Sequence, residues 1–149
     1  MEFEFHILGD GDIEPWAADV GKLGIKDKVK FCGVLPGGEP VLKWLDQMDI
    51  YIQPSFQEGL PRAVIEAMSR GCPVIASSAG GIPELIDGSC IHRPGDYNAL
   101  AEKIERVICD KELSMSLTKE NLETAKQYTK VLLDQKRNEF WSCFVMNAK

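Results

Sequence analysis

The chain has 149 residues, 44% of them apolar and 27% charged, a balance that excludes disorder and fibrous repeats and suits one core burying about two thirds of the unfolded surface. Its 23 acidic against 17 basic residues leave a net charge of −6, which offers no broad basic field for nucleic acid, and no run nears the roughly 18 apolar residues of a membrane span. The opening "MEFEFHILG" lacks the basic region and apolar core of a signal peptide, and the five cysteines (Cys32, Cys72, Cys90, Cys109, Cys143) have the spacing of neither a disulfide framework nor a zinc clip, so they read as reduced thiols of a cytoplasmic protein.

Short β-branched or aromatic runs then alternate with helical patterns. "FEFHIL" (Phe3 to Leu8) predicts a strand, "EPWAADVGKLGI" a helix with Pro15 in its first turn, and "KVKFCG" a second strand. "EPVLKWLDQM" places Val41, Leu42, Leu45 and Met48 at helical spacing, "DIYIQP" is a third strand, and Pro61 to Arg70 is a helix closed by Gly71. "CPVIASS" gives the fourth strand, "GGIPELI" a short helical turn, "SCIHRP" the fifth strand, and "DYNALAEKIERVI" a helix opened by Asp96; two more helices finish the chain. Such alternation with short connections implies an α/β, doubly wound, Rossmann-like parallel sheet in a single domain over residues 1–149. In that architecture the loops after the strands, "GDGD", "GVLPGG", "PSFQEGLP" and "SSAGGIP", emerge at one edge, where ligands bind.

The loop that opens the Pro61 helix carries the chemistry. Proline at the first helical position loses no hydrogen bond and leaves the N–H groups of Arg62 and Ala63 pointing out of the helix end, where an anion such as phosphate is favoured. Glu58 stands beside that seat, and Glu66, eight positions on, lies roughly 8 Å along the helix axis from Pro61 at about 1.5 Å per residue. Carboxylates accept hydrogen bonds from hydroxyls, and sugars are rich in them.

The order of "PS", "EGLPRAVIEAM", "GCPVIAS", "GGIPELI" and "PGD", with "ILGDGD", "VKFCGVLP" and "MDIYIQPS" ahead of it, resembles the retaining glycosyltransferases of family 4, which have the GT-B fold and share an E-x7-E motif. The resemblance implies the C-terminal, donor-binding half of that fold, binding a nucleotide sugar, without the first strand and helix of that half and without the acceptor-binding N-terminal domain. It implies that Glu58 is catalytic and binds a donor-sugar hydroxyl. Gly59, Leu60, Pro61, Arg62 and Ala63 would hold the sugar and diphosphate, Glu66 the ribose, and Gly33, Val34, Leu35 and Pro36 the base. It implies a hexosyltransferase of cell-surface polysaccharide or glycolipid synthesis that needs no metal and no cofactor, acting at the membrane periphery as a full-length enzyme while the present chain alone is inactive. The family often has glycine where Pro61 stands, which removes one N–H donor, and its diphosphate-neutralising arginine and lysine lie in a segment before Phe3.

Rival readings weigh less. "GDGDIE" fails the dinucleotide fingerprint at Glu14, and Asp10, Asp12 and Glu14 would repel a pyrophosphate; Asp10 and Asp12 read as loop acids rather than metal ligands. A GT-B epimerase or hydrolase, or a non-catalytic scaffold, would present similar loops. Cys90 and His92 merely sit side by side, and His6 and His92 read as packing or surface residues. Trp16, Trp44 and Trp141 suit core or interface anchoring. The last helix gathers Leu133, Arg137, Phe140, Trp141 and Phe144 near one face, an apolar stripe expected to be exposed and able to form a homodimer.

Overall fold

The computed structural model describes residues 2–147, and these divide into two compact units, one up to Val41 and one from Leu42 onward. In the first, β1 (Phe5–Ile7), α1 (Glu14–Lys22) and β2 (Val29–Phe31) form a parallel strand pair with its crossover, in the register Phe5 to Val29, His6 to Lys30 and Ile7 to Phe31. The loops after the two strands are tied together where the Gly9 N–H donates to the Gly33 carbonyl at 2.8 Å. Asp12 turns the chain into α1 by accepting the Glu14 N–H at 3.0 Å, and the Asp10 carboxylate accepts the Gly11 N–H at 2.8 Å. Both acids therefore serve their own loop. The helix ends at Lys22, three residues short of the expected Ile25, because Gly24 adopts φ +68°. Its N–H returns to the Gly21 carbonyl and that of Ile25 to Val20, the paired bonds that stop a helix.

The chain passes into the second unit within α2 (Glu39–Leu45). There follow β3 (Tyr51–Gln53), α3 (Arg62–Ser69), β4 (Val74–Ser77), β5 (Ile91–His92), α4 (Tyr97–Cys109), α5 (Lys111–Lys126) and α6 (Lys130–Asn147). The sheet is parallel in the order β3-β4-β5, with Gln53 beside Ala76 and Ser77 beside His92. Central β4 is buried along its whole length, as a parallel strand covered on both faces must be. Its core partners from α3 are Val64, Ala67 and Met68, the i, i+3, i+4 set of one helix face, and α5 covers α3 with Leu117, Asn121 and Ala125. Asn121 is buried but satisfied, donating to the Cys72 carbonyl at 2.8 Å.

All five cysteines are free, and burial pushes the Cys72 and Cys90 thiols above their ordinary value, the opposite of what an activated nucleophile needs. Trp16 is exposed, so it anchors nothing in the core; α1 has no buried residue. On α6, Phe140, Trp141 and Phe144 stack edge to face and are all exposed. Among the described residues no helix is long and apolar enough to cross a membrane.

Candidate functional site

The site is built on the single connection from β3 to α3. Strand residues Tyr51 and Gln53 and the following Ser55 share one side of the chain by the two-residue period of an extended segment. They form a hydrogen-bonded series. The Tyr51 hydroxyl donates to Gln53 Oε1 at 2.6 Å, which turns the Gln53 amide nitrogen toward Ser55 Oγ and Glu58 Oε1, each at 2.8 Å. Ser55 Oγ donates to the same Glu58 oxygen at 2.6 Å. Glu58 thus has one oxygen carrying two donors, while Oε2 has no hydrogen-bond partner among the described residues.

A second strand-end loop fixes the backbone beneath this carboxylate. Gly80 lies at φ +54°, and a Cβ there would sit 2.1 Å from the Glu58 carbonyl oxygen, a distance no side chain tolerates. The neighbouring Gly81 N–H donates to the Gly59 carbonyl at 2.7 Å. Buried Ser77 completes the tie by donating to the Ser55 carbonyl at 2.5 Å. Phe56 lies over the loop after β5, close enough that a Cβ on Gly95 would be 3.3 Å from its ring. Loops after β3, β4 and β5 therefore meet at one end of this sheet, as the sequence reading expects of that unit.

Pro61 stands one position earlier than expected. It is the residue that precedes the helix, extended at φ −74° and ψ 114°, and Arg62 takes the first helical place. The reason is local: the first intrahelical bond runs from the Ile65 N–H to the Pro61 carbonyl, so Pro61 supplies an acceptor while its ring needs no donor. The N–H groups of Arg62, Ala63 and Val64 precede that bond, which adds Val64 to the two donors expected. Arg62 and Ala63 are exposed, Leu60 is exposed, and Gly59 is held through its carbonyl. Glu66 is one turn further along, its Oε1 3.7 Å from Arg62 Nη2, and a third of its side chain is exposed. Burial pushes the Tyr51 phenol up to about 12, and the Glu58 and Glu66 carboxylates add to the rise. One phenol feels both acids.

The base-binding candidates belong to the other unit. Gly33 follows β2 at φ +66°, Val34 and Pro36 are exposed, and Leu35 is half-buried.

This arrangement of strand-end loops can be compared with known proteins. The model of "Glycosyl transferases group 1" matches residues 1–110. The chain belongs to this family. Protein CapJ of Staphylococcus aureus is 30% identical over 152 residues, covering 95% of this chain and 38% of that protein. The amylovoran biosynthesis glycosyltransferase AmsK of Erwinia amylovora is 37% identical over 115 residues, 70% of this chain and 28% of that protein. Among solved structures, HepE of Anabaena in complex with UDP superimposes with a TM-score of 0.86 at 25% identity, covering 95% of this chain and 41% of that one. The group 1 chain therefore has the Rossmann-like architecture of GT-B glycosyltransferases and spans well under half the length of these relatives.

Within this group 1 glycosyltransferase chain, sequence reasoning passed over Tyr51, Gln53, Ser55, Ser77 and Gly80. A signal was there for three of them. A buried parallel strand reads as an unbroken apolar run, whereas "YIQPS" puts a polar residue at every second place. The contact of Gly80 with Glu58 joins residues 22 apart and has no local signature.

Proposed function

We propose that this chain is the donor-binding part of a retaining glycosyltransferase that moves a hexose from a nucleoside diphosphate sugar to an acceptor hydroxyl. One observation carries the reading: the amide end of α3 is flanked by Glu58 before it and Glu66 along it, and both carboxylates bear on the same phenol of Tyr51. The Arg62, Ala63 and Val64 amides take up negative charge as the diphosphate leaves, the electrostatic role of an oxyanion hole, aided by the helix dipole. Glu58, backed by Gly59, Leu60 and Pro61, accepts donor-sugar hydroxyls, and Glu66 accepts those of the ribose. The chemistry is metal-independent. UDP bound to HepE supports a uridine nucleotide, and the amylovoran biosynthesis relative supports an enzyme of polysaccharide synthesis; on this reading the full-length enzyme works in the cytoplasm at the membrane periphery. The present chain alone binds nucleotide and transfers nothing.

The test is a thermal-shift and NMR titration of the chain with UDP, GDP and ADP. One nucleotide is expected to raise Tm, by about 2.7 kcal/mol of added stability at a hundredfold excess over Kd. Glu66→Gln should weaken it roughly tenfold, the worth of about one charge-assisted hydrogen bond. No response to any nucleotide at millimolar concentration would sink the proposal, as would full affinity in Glu66→Gln.

A further inference from the structure

The glutamate at the centre of the proposed site does not stand alone in its loop; two neighbours hold it, both at one oxygen, and a third orients one of them. Glu58 Oε1 receives Gln53 Nε2 at 2.8 Å and Ser55 Oγ at 2.6 Å. The direction of those bonds is set one step away. An amide side chain can present either end; the Glu58 carboxylate, which only accepts, takes the nitrogen, and the Tyr51 hydroxyl reinforces that orientation by donating to Gln53 Oε1 at 2.6 Å. At Ser55 the backbone is anchored too, since its carbonyl takes the hydroxyl of Ser77, a residue with no exposed surface. A phenol that ionised would turn the amide round. Burial and the two nearby carboxylates keep Tyr51 protonated, with its pKa pushed up to about 12, so it donates throughout the physiological range.

Such an assembly is unusual for the inside of a parallel strand, where Tyr, Gln and Ser on successive same-side positions forgo apolar packing. Holding the Gly59 carbonyl and the Pro61 entry to α3 does not require it, because the Gly81 N–H already fastens that backbone at 2.7 Å. What the series adds is control over a carboxylate.

We propose that Tyr51, Gln53 and Ser55 are positioning residues that clamp Glu58 by Oε1 and present Oε2, with both lone pairs open, to two hydroxyls of the sugar carried by the nucleotide. The inference rests on the reading of Glu58 as the sugar-binding acid and extends it to the substrate: the favoured donor has two neighbouring free hydroxyls within reach of one oxygen. Removing either hydroxyl from the sugar leaves one lone pair unused.

Titration of the whole chain by NMR, with UDP against UDP-glucose and GDP against GDP-mannose, separates this role from simple bracing. In the wild type the matched nucleotide sugar is expected to bind more tightly than its nucleotide. Gln53→Leu should remove most of that sugar increment, about fivefold, while leaving the nucleotide Kd within about twofold. Tyr51→Phe and Ser55→Ala, each the loss of a single hydroxyl, should remove about threefold, and Ser55→Thr should restore it. Should Gln53→Leu fail to fold, those two variants decide the matter. An unchanged sugar increment in all three loss variants overturns the clamp, and so does an equal fall for nucleotide and nucleotide sugar, which is the mark of a brace. A different result strikes at the donor reading itself and takes the clamp with it: no sugar increment in the wild type, or none lost in Glu58→Gln.

Discussion

Gly80 shows how much one missing methyl group can decide. The residue sits at φ +54° with the Glu58 carbonyl oxygen 2.1 Å from where a Cβ would be, and the obstacle is backbone, which cannot swing aside as a flexible side chain would. Gly80→Ala must then either strain its own dihedral or push the loop bearing Glu58 away from the β4 loop. A cost of about 2 kcal/mol or more is expected, read as a lower urea midpoint at unchanged slope. Gly88→Ala is the matched control: it meets nothing within 4 Å and has no positive φ, so it should stay within about 0.5 kcal/mol of the wild type. Equal behaviour of the two variants would mean that the two loops do not touch. His92 offers a test of the reverse sign. Its ring is buried, Nδ1 pairs with the Arg93 carbonyl at 2.8 Å, and Nε2 has no partner among the described residues. Because an unpaired buried nitrogen costs about 1–3 kcal/mol, His92→Leu should stabilise the chain by about 1 kcal/mol in the same urea assay. A destabilised variant would show that this nitrogen is satisfied in solution.

At the scale of elements, ends are decided by single residues, and ends are also what the sequence revealed best. Asp110 is the whole connection between α4 and α5: extended at φ −109° and ψ 96°, it closes one helix and caps the next by accepting the Leu113 N–H at 2.9 Å. Asp110→Ala should cost about 1 kcal/mol, and Asp110→Asn much less, since asparagine caps nearly as well; equal losses in urea unfolding would rule out capping as the cause. The positions of Asp96, Gly71 and Pro15 were legible because caps and stops act through one residue's own dihedrals and hydrogen bonds. The helix expected to run to Met48 stops at Leu45, and two further boundaries misled for the same kind of reason. Leu23 and Ile25 prolong the apolar pattern of α1 past the glycine that ends it, and Pro61 suits the cap position as well as the first turn, with only the Ile65 bond to tell them apart. Glu58 and Glu66 could be singled out from their spacing around a helix start. The polar series that holds Glu58 left a trace in "YIQPS", but its bonds depend on rotamers and on how far the loop folds back, which no spacing encodes.

Over the whole molecule, protons are the most accessible probe of this packing. Among the described residues three groups hold a proton more tightly folded than unfolded: Cys72 and Cys90, raised from 9.0 by burial, and Tyr51, raised from 10.0 to about 12 by burial and then by Glu58 and Glu66. For such groups the folded state binds more protons as pH climbs past the unfolded value, so stability is complete below about pH 8.5 and falls as pH rises toward 12. Carboxylates act at the other end with the opposite sign. The Arg70 hydrogen bond to Asp46, the Ser89 bonds to Asp87 and the Lys30 bond to Glu4 lower those pKa values, so their contribution is present above about pH 4 and lost as the solution is acidified through the folded values. Urea midpoints should accordingly form a plateau from about pH 5 to 8.5 with a decline on each side. Part of the alkaline limb can be assigned to a residue. A rise from 10.0 to about 12 makes Tyr51 responsible for on the order of 2–3 kcal/mol between pH 9 and 12. Tyr51→Phe has no proton to lose and should remove that share of the fall while leaving what Cys72 and Cys90 contribute, whereas Glu58→Gln, which removes only the smaller carboxylate contribution, should leave most of the Tyr51 share in place. If Tyr51→Phe declined as steeply as the wild type, burial and the two carboxylates would not be holding the phenol's proton, and the reading that links Glu58 and Glu66 through Tyr51 would lose its support.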